Sequence, residues 1–162
     1  MHLHRLMALV GVIIGVIGLF FTALSTDGED ALPGLSQASD SFPDGIPTIW
    51  GGLDTWAQWV LVILIIVVVA LAFMGLRNAP YDNTGAGITS VIGVALLAYA
   101  VVKYLEAGDD GDTLEGAFGQ AFGAELIPVA WTVSPSIGFF VLMLGTVIVA
   151  AAGILSFMAS SD

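Results

Sequence analysis

The chain has 162 residues, 57% of them hydrophobic, and sets fourteen acids against three bases for a formal net charge of −11. Its only bases, Arg5, Arg77 and Lys103, form none of the cationic clusters that phosphate recognition needs, which argues against nucleic acid as a partner. The absence of cysteine removes disulfides, thiol nucleophiles and Cys-ligated metals.

Charged residues make up 10% of the chain, against about a quarter in a soluble domain. The apolar residues gather into four blocks near the ~20 residues needed to span hydrocarbon. The expected fold class is an all-α integral membrane protein with four transmembrane helices, at about 6–25, 57–76, 86–105 and 136–158. Acid in excess with scarce lysine also suggests a high-salt source, where screening tolerates a carboxylate-rich surface.

The first block follows His2, His4 and Arg5. A cleaved signal peptide is the alternative, but the apolar run exceeds the usual ~7–15 residues of a signal core. It is read as a retained helix. Gly11, Gly15 and Gly18 recur at spacings of four and three, a pattern that lets a second membrane helix approach closely. Gly93 and Gly145 are expected to serve packing in the later blocks.

An acidic loop, 26–55, follows with six acids and no base. Pro33 and the spacing of Leu32, Leu35, Ala38 and Phe42 predict a short amphipathic helix within it. Trp50, Trp56 and Trp59 cluster where the second block begins, the level at which indole rings favour the headgroups. Arg77 closes that block, and Pro80, Asp82 and Gly85 mark a turn.

The third block carries Thr89, Ser90, Tyr99, Lys103 and Tyr104. Lys103 is expected to snorkel to the interface and pair with Glu106. A second acidic loop, 106–135, opens on Asp109-Asp110-Gly111-Asp112. Leu114, Phe118 and Phe122 then recur every four residues, predicting another short amphipathic helix whose apolar face contacts a partner. Trp131 is expected to be a further interface anchor.

Ile46-Pro47-Thr48-Ile49-Trp50 returns as Ile127-Pro128-Val129-Ala130-Trp131. Val10-Gly11-Val12 likewise meets Ile92-Gly93-Val94, and Asp27-Gly28-Glu29-Asp30 meets Asp109-Asp110-Gly111-Asp112. Two tandem repeats, 1–77 and 78–162, each helix–acidic loop–helix, are the expected organisation. A two-span unit returns the chain to its starting side, so the copies should share one orientation about a pseudo-twofold along the membrane normal. Arg5 and Arg77 put both termini inside and both acidic loops outside.

No catalytic, cofactor or metal site is read from the residues. His2 and His4 have no further His or Cys to complete a coordination sphere. Asp109 to Asp112 lacks the later ligands of a calcium loop. None of the four blocks holds an Asp or Glu, the buried carboxylates that ion couplers use. The function expected is a non-enzymatic structural or accessory subunit of a larger membrane assembly, in a cell or a lipid-containing virion. Its partners would be the bilayer and other membrane proteins or further copies of itself. A small oligomeric channel with cation-attracting mouths is the alternative.

Overall fold

The computed structural model describes residues 2–74 and 79–159. Five α-helices carry the chain: α1 (Leu3–Leu19), α2 (Leu32–Ala38), α3 (Thr55–Phe73), α4 (Asn83–Gly123) and α5 (Gly138–Ala159). Two short strands, β1 (Leu24–Ser25) and β2 (Ser134–Pro135), pair antiparallel. Helices α3, α4 and α5 are long and apolar enough to cross a membrane, while α1 is apolar and 17 residues long. The chain is therefore all-helical and compatible with integral membrane placement. The proposed end of the second block at Arg77 lies outside the described residues.

Helix α5 is the hub. It packs closely on α1 along one side and on α4 along another, whereas α3 leans on α1 and barely touches α4. Small residues explain the close contacts. A methyl group on Gly11 would lie 2.7 Å from the Gly145 carbonyl oxygen, and one on Gly18 would lie 2.6 Å from the Leu142 nitrogen. Gly145 sits directly against the Gly15 backbone, and Gly93 against Ala150. In hydrocarbon such backbone proximity is a main source of packing energy, because apolar burial alone gains little there. Helix α3 is Val-, Ile- and Leu-rich between Val60 and Phe73, with no glycine, and stands further off.

Helix α4 departs from the expected loop structure. Its 41 residues run unbroken through Asp109-Asp110-Gly111-Asp112, so the second acidic loop contains no separate short helix. At about 1.5 Å per residue the helix is a rod of about 60 Å, roughly twice the hydrocarbon thickness. Asp82 starts it, its Oδ1 accepting from the Gly85 N–H at 3.1 Å. Leu105, Glu106 and Ala107 are good helix formers, and Lys103 pairs with Glu106 at 2.6 Å across the same turn. Gly111 lies on the buried face, where a would-be methyl would meet Leu24 and Val133 at 3.6 Å. Packing there offsets the roughly 1 kcal/mol that a mid-helix glycine costs.

The first half behaves differently at the matching point. Helix α1 stops at Leu19, and Thr22 to Ser25 run extended. The first acidic loop does hold its short helix, α2, with Pro33 in the first turn and Leu32 and Leu35 buried. One continuous core draws on both halves, from Leu19, Leu32 and Phe42 to Leu114, Phe118 and Leu142.

Candidate functional site

Beyond the apolar helices the chain builds a head from α2, the second half of α4 and the segments around both Ile-Pro-x-x-Trp copies. The extended stretch after α1 is its spine. The first copy pairs along one stretch: Ala23 N–H donates to Pro47 O at 2.8 Å, Ile49 N–H to Phe21 O at 2.8 Å and Trp50 N–H to Leu19 O at 2.9 Å. The residues after the second copy pair further along, through β2 and through Ser136 N–H donating to Ala23 O at 3.1 Å. One motif thus serves two different settings.

An aromatic stack fills the head. The Phe118 ring lies 5.6 Å from Phe42 and 5.3 Å from Trp131 between centroids, the latter edge-on. Gly28 passes beneath Trp131, leaving only 2.6 Å between the indole and a would-be methyl. The Val133 N–H donates to Glu115 Oε2 at 2.9 Å, tying the segment before α5 to the α4 rod.

This arrangement corrects three sequence expectations. Leu114 and Phe118, expected to meet a partner, are 5% and 0% exposed within the chain's own core, because the stripe faces inward, with Phe118 packed against Phe42, Trp131 and Gly28. Trp131 is packed on Phe118 and Gly28 in the head, well along α4 from Lys103, instead of anchoring at the level of the other indoles. Phe122 alone of its stripe is free, at 49% exposure.

Phe122 belongs to the tip of the head. There α4 ends in a Schellman motif: Leu126 N–H donates to Ala121 O at 2.9 Å and Glu125 N–H to Phe122 O at 3.0 Å. The motif holds Glu125 at φ 61°, a conformation usually given to glycine. Phe122, Leu126 and Val129 are exposed around it, beside the exposed Glu125 carboxylate.

The opposite end is closed by Arg5, which is 4% exposed. Its guanidinium donates to the carbonyls of Leu71 at 2.9 Å, Ala79 at 3.0 Å, Pro80 at 3.2 Å and Ala72 at 3.3 Å, and also to that of Met74. It lies 4.7 Å from the Tyr81 ring centroid. The last carbonyls of α3 have no helical partners of their own and carry the negative end of the helix dipole, so a cation satisfies both. Burial pushes the Tyr81 phenol above its ordinary range, partly offset by Arg5. Sequence reading took Arg5 for a topology marker only; its acceptors lie 66 to 75 residues away along the chain.

Along the bundle, Thr89 is fully buried and Ser90 donates to the Ala86 carbonyl at 2.8 Å beside Gly153. Tyr99, Lys103 and Thr146 line a central cavity of about 40 Å³ whose other walls are apolar. Trp56 and Trp59 are 63% and 66% exposed on the first turns of α3, and Trp50 is half-buried in the turn before it. Among the described residues no three His, Asp or Glu side chains converge as a metal site would require. Compared with known proteins, the chain matches no family model, no curated protein and no solved structure.

Proposed function

We propose that the chain is a non-enzymatic subunit of a larger membrane assembly. Four spans, α1, α3, the first half of α4 and α5, anchor it, with the Arg5 end inside and the acidic head outside. The observation that carries this reading is the unbroken α4 rod. It couples a membrane span to a packed head that reaches about 30 Å beyond the hydrocarbon, and the tip of that head leaves Phe122, Leu126 and Val129 exposed. A loop-borne head would move independently of its anchor; this one transmits position and load. The partner is another protein chain, a different one or a second copy.

The tandem-repeat organisation belongs to the same proposal. The repeat rests on the sequence correspondence and not on packing symmetry, since α5 packs on both α1 and α4 whereas α3 leans on α1 and barely touches α4. Acidic residues without bases in the head suit high ionic strength, where their repulsion is screened. The channel reading receives less support: of the polar groups it would need, Thr89 is buried, Ser90 is bonded within its own helix, and Tyr99 lines a cavity of only about 40 Å³.

Gentle extraction at high salt followed by native-mass analysis tests the subunit reading. The expected outcome is a fixed ratio to another chain or a defined homo-oligomer, lost on Phe122→Asp with Leu126→Asp. A monomeric protein that conducts ions in planar bilayers would overturn it.

A further inference from the structure

Helices α3 and α4 pack loosely and leave an apolar groove of about 200 Å³ between them. Trp56, Val60 and Leu64 form one wall, and Ala95, Leu96 and Tyr99 the other. Three features at its upper end are unusual for a surface that merely meets acyl chains. The Tyr99 hydroxyl is buried and has no hydrogen-bond partner in the protein. Lys103, one turn further along α4, stands 5.7 Å from the Tyr99 ring centroid and gives one N–H to Glu106, leaving two donors free. Trp56, in the first turn of α3, marks this level as the headgroup zone.

An unmet hydroxyl in an apolar setting costs free energy until an acceptor arrives. The hydroxyl has no exposed surface in the lipid-free chain, so it meets an acceptor when the Tyr99 ring, which lines the groove, turns toward it, and lipid oxygen is the natural acceptor there. Among the described residues Lys103 is the one base near the acidic head, and the carboxylates of Glu106 and Asp54 both act on it. A phosphate therefore has a cation to meet, and an ammonium on the same headgroup has carboxylates to meet. We propose that the groove holds one zwitterionic phospholipid from the leaflet on the acidic side, with an acyl chain between α3 and α4, an oxygen accepting from Tyr99 and its phosphate on Lys103. The site wedges α3 against the bundle in place of the glycine contacts that hold α5. It rests on the membrane-spanning reading but not on the subunit role.

The test is native mass spectrometry of the detergent-purified full chain, titrated with phosphatidylethanolamine or with diacylglycerol of the same acyl chains. Wild type should retain one phosphatidylethanolamine at least tenfold more tightly than diacylglycerol. Ala95→Phe fills the groove from an exposed position and should weaken retention about tenfold; Lys103→Gln and Tyr99→Phe should each weaken it several-fold. Equal binding of the two lipids, or phosphatidylethanolamine retention unchanged in Ala95→Phe and Lys103→Gln, would overturn the site. Loss of lipid with partner chains still co-purifying would leave the subunit reading standing.

Discussion

Gly11 and Gly15 lie one turn apart on α1 yet meet different surroundings. A methyl on Gly11 would be 2.7 Å from a backbone oxygen of α5, whereas one on Gly15 would find its nearest neighbour, Leu142 Cδ1, at 3.8 Å. Gly11→Ala should therefore destabilise the bundle by about 1–3 kcal/mol, the range for overpacking. Gly15→Ala should be neutral or stabilise by up to about 1 kcal/mol through helix propensity. Thermal unfolding in detergent reads both, and equal losses would mean the two glycines are equivalent. Sequence spacing selects both positions but cannot rank them, since the distance is set by how α5 crosses.

Arg5 poses the complementary case. Arg5→Ala removes the donor for several carbonyls at the end of α3, and leaving buried acceptors unmet costs about 1–3 kcal/mol. Arg5→Lys should recover part of this, because an ammonium lacks the planar fork that reaches several acceptors at once. If the two variants melt together, the loss is of packing on Tyr81 rather than of hydrogen bonds.

At the scale of elements, α4 shows where local signals mislead. Asp109-Asp110-Gly111-Asp112 reads as a turn because aspartate and glycine favour turns. In the fold Gly111 lies on the buried stripe with Ala107, Leu114 and Phe118, and that stripe carries the helix through. The apolar period of four was legible; its direction toward the chain's own core was not, because Leu24, Gly28 and Phe42 arrive from far earlier in the chain. The end of the rod is more local. Glu125 takes φ 61° to close the Schellman motif, and a non-glycine residue there costs about 1–2 kcal/mol. Glu125→Gly should raise the melting temperature, whereas Glu125→Val should lower it. A fall with glycine would mean that the carboxylate itself makes a stabilising contact.

For the whole molecule, the native chain has no cysteine, so single cysteines report topology cleanly. Asp40→Cys and Asp112→Cys should both react with an impermeant reagent added from outside, and Thr84→Cys, at the start of α4, only after permeabilisation. Labelling of Thr84→Cys alone would invert the orientation. All three positions are exposed, so failure to react reports sidedness rather than burial.

What the sequence determined by itself follows from quantities that need no partner in space. Apolar length, scarcity of charge and the period of small and apolar residues dictate long helices and membrane compatibility, because hydrocarbon accepts only segments that satisfy their own backbone. Tertiary structure decided the rest. It assigned Leu114, Phe118 and Trp131 to an internal core, set Arg5 on the end of α3, and gave two copies of one motif different neighbours. It also opened the groove beside Tyr99. Each of these depends on contacts between residues far apart in the chain, and no local period encodes which surface will arrive.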